Sequence, residues 1–155
     1  MDFRIKGLPS DEFAHRAGLP DAKLRELGVQ RMRVDEQPGF PDRVALRDAR
    51  VGESVFLLNY EHQATPSPYR SRHAIFVIEG ERRTYDAVNA VPEVMRPRVL
   101  SLRAFDAAGM MVDADLVDGR EVEGLIGRLL ANPRAAYLHA HYAKRGCFAA
   151  RIERA

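Results

Sequence analysis

The chain has no tryptophan and only one cysteine, Cys147, among its 155 residues. A single thiol excludes an internal disulfide framework and a cysteine-rich zinc site, and it fits a reducing compartment. Lysine is nearly missing too. Only Lys6, Lys23 and Lys144 occur, so almost all positive charge is arginine. The formal net charge is +2, and pairs such as Arg31/Arg33, Arg82/Arg83 and Arg96/Arg98 are scattered among acids. Without a clustered basic face, a nucleic-acid partner is not expected. No apolar run reaches the length of a membrane span, and the charged start Met1–Lys6 leads into no apolar signal segment. A cytoplasmic protein with no membrane partner is therefore expected. A glycine-rich phosphate loop, a nucleophile-elbow serine and a dinucleotide fingerprint are all missing, so no motif requires a cofactor.

Hydrophobic residues make up 46% and charged residues 30%, a globular balance rather than a disordered one. A chain of this length is expected to form a single globular domain over 1–155 and to bury a core without staples. Alternation predicts a first strand at Phe3–Lys6, two short helices ended by Gly18 and Gly28, and a half-buried strand from Gln30 to Val34. Val44 and Leu46 start another predicted strand. The runs Val55–Tyr60 and His73–Ile78 read as buried strands, and the polar, proline-broken stretch between them reads as a surface loop. Pro92 to Met95 is expected to make one helical turn.

The last third is the most legible. Leu100–Phe105 and Met110–Val117 form a predicted hairpin around Asp106–Gly109. Asp118 and Glu121 read as an N-terminal capping arrangement, followed by Val122, Leu125, Ile126, Leu129 and Leu130 at helical spacing. A second hairpin, Ala136–Tyr142 with Cys147–Glu153, completes a ββ-α-ββ unit. The expected fold is α+β: a mainly antiparallel sheet of about eight strands, two short N-terminal helices, and one longer helix packed on the sheet.

Chemistry concentrates in the last hairpin. Alternation puts Leu138, Ala140 and Tyr142 on one side and Tyr137, His139 and His141 on the other. A three-residue loop ending at Gly146 would match the apolar sets and gather His139, His141, Cys147 and Arg151 on a polar surface as candidate catalytic residues. Two histidines at i and i+2 can face one metal ion. A third ligand would come from elsewhere, with His62, His73, Glu61, Asp113 and Asp115 as candidates. Hydrogen-bonded imidazoles without metal are the plainer reading. Cys147 beside a histidine would form a thiolate–imidazolium pair aided by Arg151, against the plainer reading of a small buried hydrophobe. Tyr60, Glu61, His62, Tyr69, Arg70, Arg72 and His73 form a second candidate region, in which Arg70 and Arg72 would clamp a carboxylate or phosphate; a merely solvated loop is the alternative. Asp106, Asp113, Asp115 and Asp118 do not match a calcium loop, because Met110, Met111, Val112 and Leu116 interrupt it.

The segments Leu57-Leu58-Asn59-Tyr60-Glu61-His62-Gln63, Ser67-Pro68-Tyr69-Arg70, Arg72–Val77, Arg103–Asp106, Met110–Asp115 and Tyr137–His141 resemble a bacterial family catalogued as domain-of-unknown-function family 1203. The resemblance implies a stand-alone domain of about this length and carries no activity, substrate or cofactor with it. The chain departs from the family pattern in having Tyr142 where members tend to carry asparagine. It also has Asp42 where some carry cysteine, which removes any role for a second thiol. Two functional classes remain open from the residues. One is a small-molecule enzyme or ligand-binding domain with its site between the His139/His141 face and the Tyr60–His73 loop. The other is a non-catalytic assembly domain, such as a homodimer, pairing through sheet edges.

Overall fold

The computed structural model describes residues Met1–Ala155. Strand β1 (Phe3–Lys6) buries Phe3 and Ile5 and leaves Arg4 and Lys6 partly exposed, as strand alternation requires. Two 3-10 turns, Ser10–Glu12 and Ala14–Arg16, stand where the first short helix was expected, and buried Phe13 joins them. Helix α1 spans Asp21–Glu26. Strands β2 (Gln30–Arg33), β3 (Ser54–Gln63) and β4 (Ser71–Ile78) follow. The short strand β5 (Asp86–Val88) precedes β6 (Val99–Phe105), β7 (Met111–Asp118), helix α2 (Val122–Leu130), β8 (Tyr137–Tyr142) and β9 (Cys147–Arg154).

All strand pairings are antiparallel and make two sheets. One has six strands in the order β5-β1-β9-β8-β6-β7, and the other has three in the order β2-β3-β4. The α+β, mainly antiparallel architecture is the one expected, and the ββ-α-ββ unit appears as the run β9-β8-β6-β7. The Val44/Leu46 segment is a correction. The Asp42 carboxylate accepts the backbone N–H groups of Val44 (3.2 Å) and Ala45 (2.5 Å). That Asx-type capture turns the chain, leaving isolated bridges at Pro41–Asp48 and Asp42–Phe76 in place of a strand. A 3-10 turn at Glu93–Met95 fills the expected helical turn.

Helix α2 packs Val122, Leu125, Ile126, Leu129 and Leu130 against Leu100, Leu102, Ala104, Leu138, Ala140 and Ile152 of the large sheet. Each such aliphatic side chain contributes about 1.5–3 kcal/mol when fully withdrawn from water. Asp118 accepts the amide of Arg120 at 2.9 Å and starts a 3-10 turn before the helix, rather than the reciprocal box that Glu121 suggested. Gly119 permits the entry: a Cβ there would lie 1.9 Å from the Met95 carbonyl oxygen.

The three-stranded sheet lies across the opposite face. Phe56, Leu58, Ile75 and Val77 of β3 and β4 form a second apolar cluster with Phe148 of β9. Strand β8 is thus covered on both sides, and all six of its residues are buried. The face carrying His139 and His141 is an interior between two sheets, not the polar surface expected from alternation alone. No helix is long and apolar enough to cross a membrane.

Candidate metal centre

Register fixes which side chains share the histidine face. Opposite β8, strand β6 pairs Ser101 with His141, Arg103 with His139 and Phe105 with Tyr137. On the other side, β9 pairs Arg151 with His139 and Phe148 with His141. The pairing shifts by one residue between Ala140 and His141, which is a β-bulge centred on Ala149. The hairpin loop has four residues rather than three: the Gly146 amide, at φ 78°, donates to the Tyr142 carbonyl at 2.8 Å.

The longer loop corrects the expected placement of Cys147. It pairs with Tyr142, on the side that packs toward α2, while Phe148 turns to the histidine face. The Cys147 Sγ instead accepts from Nη2 of buried Arg43 at 3.1 Å. Arg43 also donates to the carbonyls of Phe148 (2.7 Å) and Pro41. The proposed thiol–imidazole pair therefore does not form.

From the facing sheet, β3 and β4 bring two further imidazoles. His62 sits just beyond Tyr60, where β3 and β4 lose simple register, and it stacks on Phe148 with centroids 5.1 Å apart. His139 meets the same Phe148 ring edge-on at 5.0 Å. One ring nitrogen from each of His62, His139 and His141 lies within 4.8 Å of the others. Each of the three also has a buried ring nitrogen without a hydrogen-bond partner: Nδ1 of His62, Nδ1 of His139 and Nε2 of His141.

Two of these rings are oriented from behind. His141 Nδ1 lies 2.9 Å from the Gly146 carbonyl oxygen. A carbonyl only accepts, so Nδ1 holds the proton and Nε2 keeps its lone pair. His62 Nε2 lies 2.7 Å from Nδ1 of His73. With Nε2 donating, Nδ1 of His62 is free to ligate. Burial is the main force pushing the imidazole pKa values down, aided by the neighbouring histidines and by Arg103: to about 4 for His62, about 3 for His141 and about 2 for His139. All three are neutral at pH 7, the form that binds metal.

The remaining sequence candidates fall into two groups. Tyr137 exchanges hydrogen bonds with buried Gln63 (2.8 and 3.2 Å), and the Arg151 guanidinium lies over the Tyr137 ring at 4.0 Å. Arg103 was not singled out from the sequence, yet it stands directly beside His139; its only signal was parity with Phe105. Asp113 cannot join the imidazoles as a ligand. It and Asp115 pair with Ala104 and Leu102 on the α2 side and are held by Arg128 at 3.1 and 2.9 Å. Arg70 and Arg72 are already paired, both with Glu61, at 2.7 and 3.0 Å. Tyr60 donates to Glu12 at 2.7 Å, and Tyr69 packs edge-on against Phe105. These loop residues reach one another and the protein rather than an open pocket.

Comparison with known sequences gives one family. Its model, described as a protein of unknown function (DUF1203), matches residues 39–154, and the chain belongs to that family. The matched span includes His62, His73, His139 and His141 and leaves out β1, α1 and β2. Neither the curated proteins nor the solved structures contain a match to the chain.

Proposed function

We propose that this DUF1203 protein binds one divalent transition-metal ion through His62, His139 and His141 and presents it to a small-molecule ligand. The convergence of three imidazoles, each with a buried ring nitrogen that has no hydrogen-bond partner, carries the reading. An unsatisfied buried polar atom costs about 1–3 kcal/mol, and one ion would satisfy all three. Zinc–nitrogen bonds of about 2.0–2.1 Å need nitrogens roughly 3.4 Å apart in a tetrahedron. The ligand atoms lie within 4.8 Å of one another, so binding would draw them together to that spacing. Three neutral histidines suit zinc, copper, iron or nickel rather than magnesium or calcium. Three protein ligands also leave a coordination position for water or substrate, which is the pattern of reactive rather than structural sites.

Assembly through sheet edges has less support. The outer strand β7 exposes Leu116, but Asp113, Asp115 and Asp118 line the same strand, and such charges discourage edge pairing.

The test is metal content of untagged protein by mass spectrometry, with a cobalt(II) titration of the metal-free form. One ion per chain is expected in the wild type, with His139→Gln and His141→Gln each losing it. Metal-free protein whose melting temperature and visible spectrum ignore cobalt, and wild type indifferent to chelator, would overturn the reading.

A further inference from the structure

The surroundings of the three imidazoles carry an excess of positive charge that no side chain answers. Arg103 and Arg151 flank His139 on the two neighbouring strands, so guanidinium, imidazole and guanidinium form one row across β6, β8 and β9. Arg151 is shared with Glu153 at 3.2 Å. Arg103 has no carboxylate at all. Its one hydrogen bond runs from Nε to the Ser101 hydroxyl at 3.4 Å, although the residue is half-buried. The acids of the neighbouring strands are taken: Glu61 by Arg70 and Arg72, and Glu153 by Lys6 and Arg151.

A divalent ion held by three neutral ligands would add charge to this site rather than balance it. Water alone does not neutralise a half-buried cation beside a guanidinium, whereas an anion between the two satisfies both. The geometry points to an anion subsite at Arg103: the natural ligand is a small oxyanion, a carboxylate or phosphate, that binds the open metal position with one oxygen and the Arg103 guanidinium with another. This inference rests on the metal reading and specifies its substrate class. A guanidinium offers paired N–H donors that match both oxyanions. Tyr69, Phe105 and Tyr137 lie on the same side and give the rest of the ligand an aromatic wall. No proton transfer or bond cleavage is implied by binding alone.

The experiment uses full-length cobalt(II)-loaded protein, with inorganic phosphate, acetate and chloride added in separate titrations. Phosphate or acetate is expected to shift the cobalt bands saturably. Chloride is expected to compete only weakly. Arg103→Gln should raise the half-saturating oxyanion concentration about tenfold or more, a loss near 1.4 kcal/mol, while the anion-free cobalt spectrum stays as in the wild type. Arg103→Lys, which keeps the charge without the fork, should recover part of the affinity. A shift with phosphate alone would narrow the ligand to phosphoryl compounds, and one with acetate alone to carboxylates. An Arg103→Gln protein that binds both anions as wild type does, or a wild type in which neither shifts the bands, overturns the subsite and leaves the metal site standing. Absence of cobalt bands altogether removes both.

Discussion

The His73 and His62 rings lie nearly parallel, planes 5° apart and centroids 4.7 Å apart, and meet edge to edge with Nδ1 of His73 2.7 Å from Nε2 of His62. With His62 Nε2 as the donor, His73 is a positioning residue that keeps the lone pair on Nδ1 of His62. Partners of this kind are worth about 10–100-fold in metal affinity. His73→Phe should weaken cobalt binding by that factor with little change in melting temperature of the metal-free protein. His73→Gln, which can still accept from Nε2, should restore much of it. Equal affinities for the phenylalanine variant and the wild type, measured by competition with a chromogenic chelator, would show that His62 needs no orienting partner.

Acid should unfold the metal-free protein earlier than an ordinary domain of this size. The unfolded imidazoles protonate near pH 6.5. In the folded chain burial holds those of His62, His141 and His139 down to about 4, 3 and 2. Because the folded values are depressed, the stability they confer is complete above pH 6.5 and drains away as the pH falls toward 4 and below. Each fully buried ring contributes a slope of about 1.4 kcal/mol per pH unit in that window. His62 is more exposed and contributes less. Urea midpoints at pH 7.5, 6 and 5 should fall steeply in the wild type and more gently in His139→Gln. Parallel curves for the two proteins would mean that the ring is hydrated when folded.

Asp42 works in the opposite sense. Burial pushes its carboxyl up to about 6, against the downward pull of the Ile78, Ala45 and Val44 amides. A raised folded value means that Asp42 adds stability at low pH and loses it as the pH climbs through 6. Since Asp42→Asn keeps every histidine, the difference in stability between wild type and variant isolates this one group. It should move in favour of the wild type by about 1.4 kcal/mol per pH unit from pH 6 down to 4. A constant difference across that range would place the carboxyl in an ordinary aqueous setting.

Cys147 should be dispensable for the metal. Its sulfur meets Arg43, not an imidazole, so Cys147→Ser is expected to keep one cobalt per chain and to show the same d–d spectrum as the wild type. Loss of an absorption band from sulfur-to-cobalt charge transfer on making this variant would prove the thiol to be a ligand.

Much of the framework follows from local pattern. The helix stripe from Val122 to Leu130 and the alternation of Leu138, Ala140 and Tyr142 against Tyr137, His139 and His141 are visible in the sequence, because burial on one face imposes a period on residue choice. What escaped was insertion and cover. The four-residue turn 143–146 moves the register by one and exchanges Cys147 for Phe148 on the histidine face, and the bulge at Ala149 moves it back, so that Ala150, Arg151 and Ile152 keep their expected partners. Alanine in a strand carries no mark of being a bulge. The three-stranded sheet over β8 was equally hidden, since cover by a distant segment leaves no local period, and it turns an expected surface into an interior. The apparent clamp of Arg70 and Arg72 dissolved for a related reason: Glu61 lies between them and takes both.

His139 and His141 belong to one sheet, and His62 to the other. An ion gripping all three would act as a rivet through the two layers, joining chain segments that meet nowhere in sequence. Loading should then tighten the whole laminate, slowing amide exchange in β3 and β4 as well as β8, whereas a starved protein would breathe along the seam. Metal supply would be felt as stiffness far from the coordinating atoms.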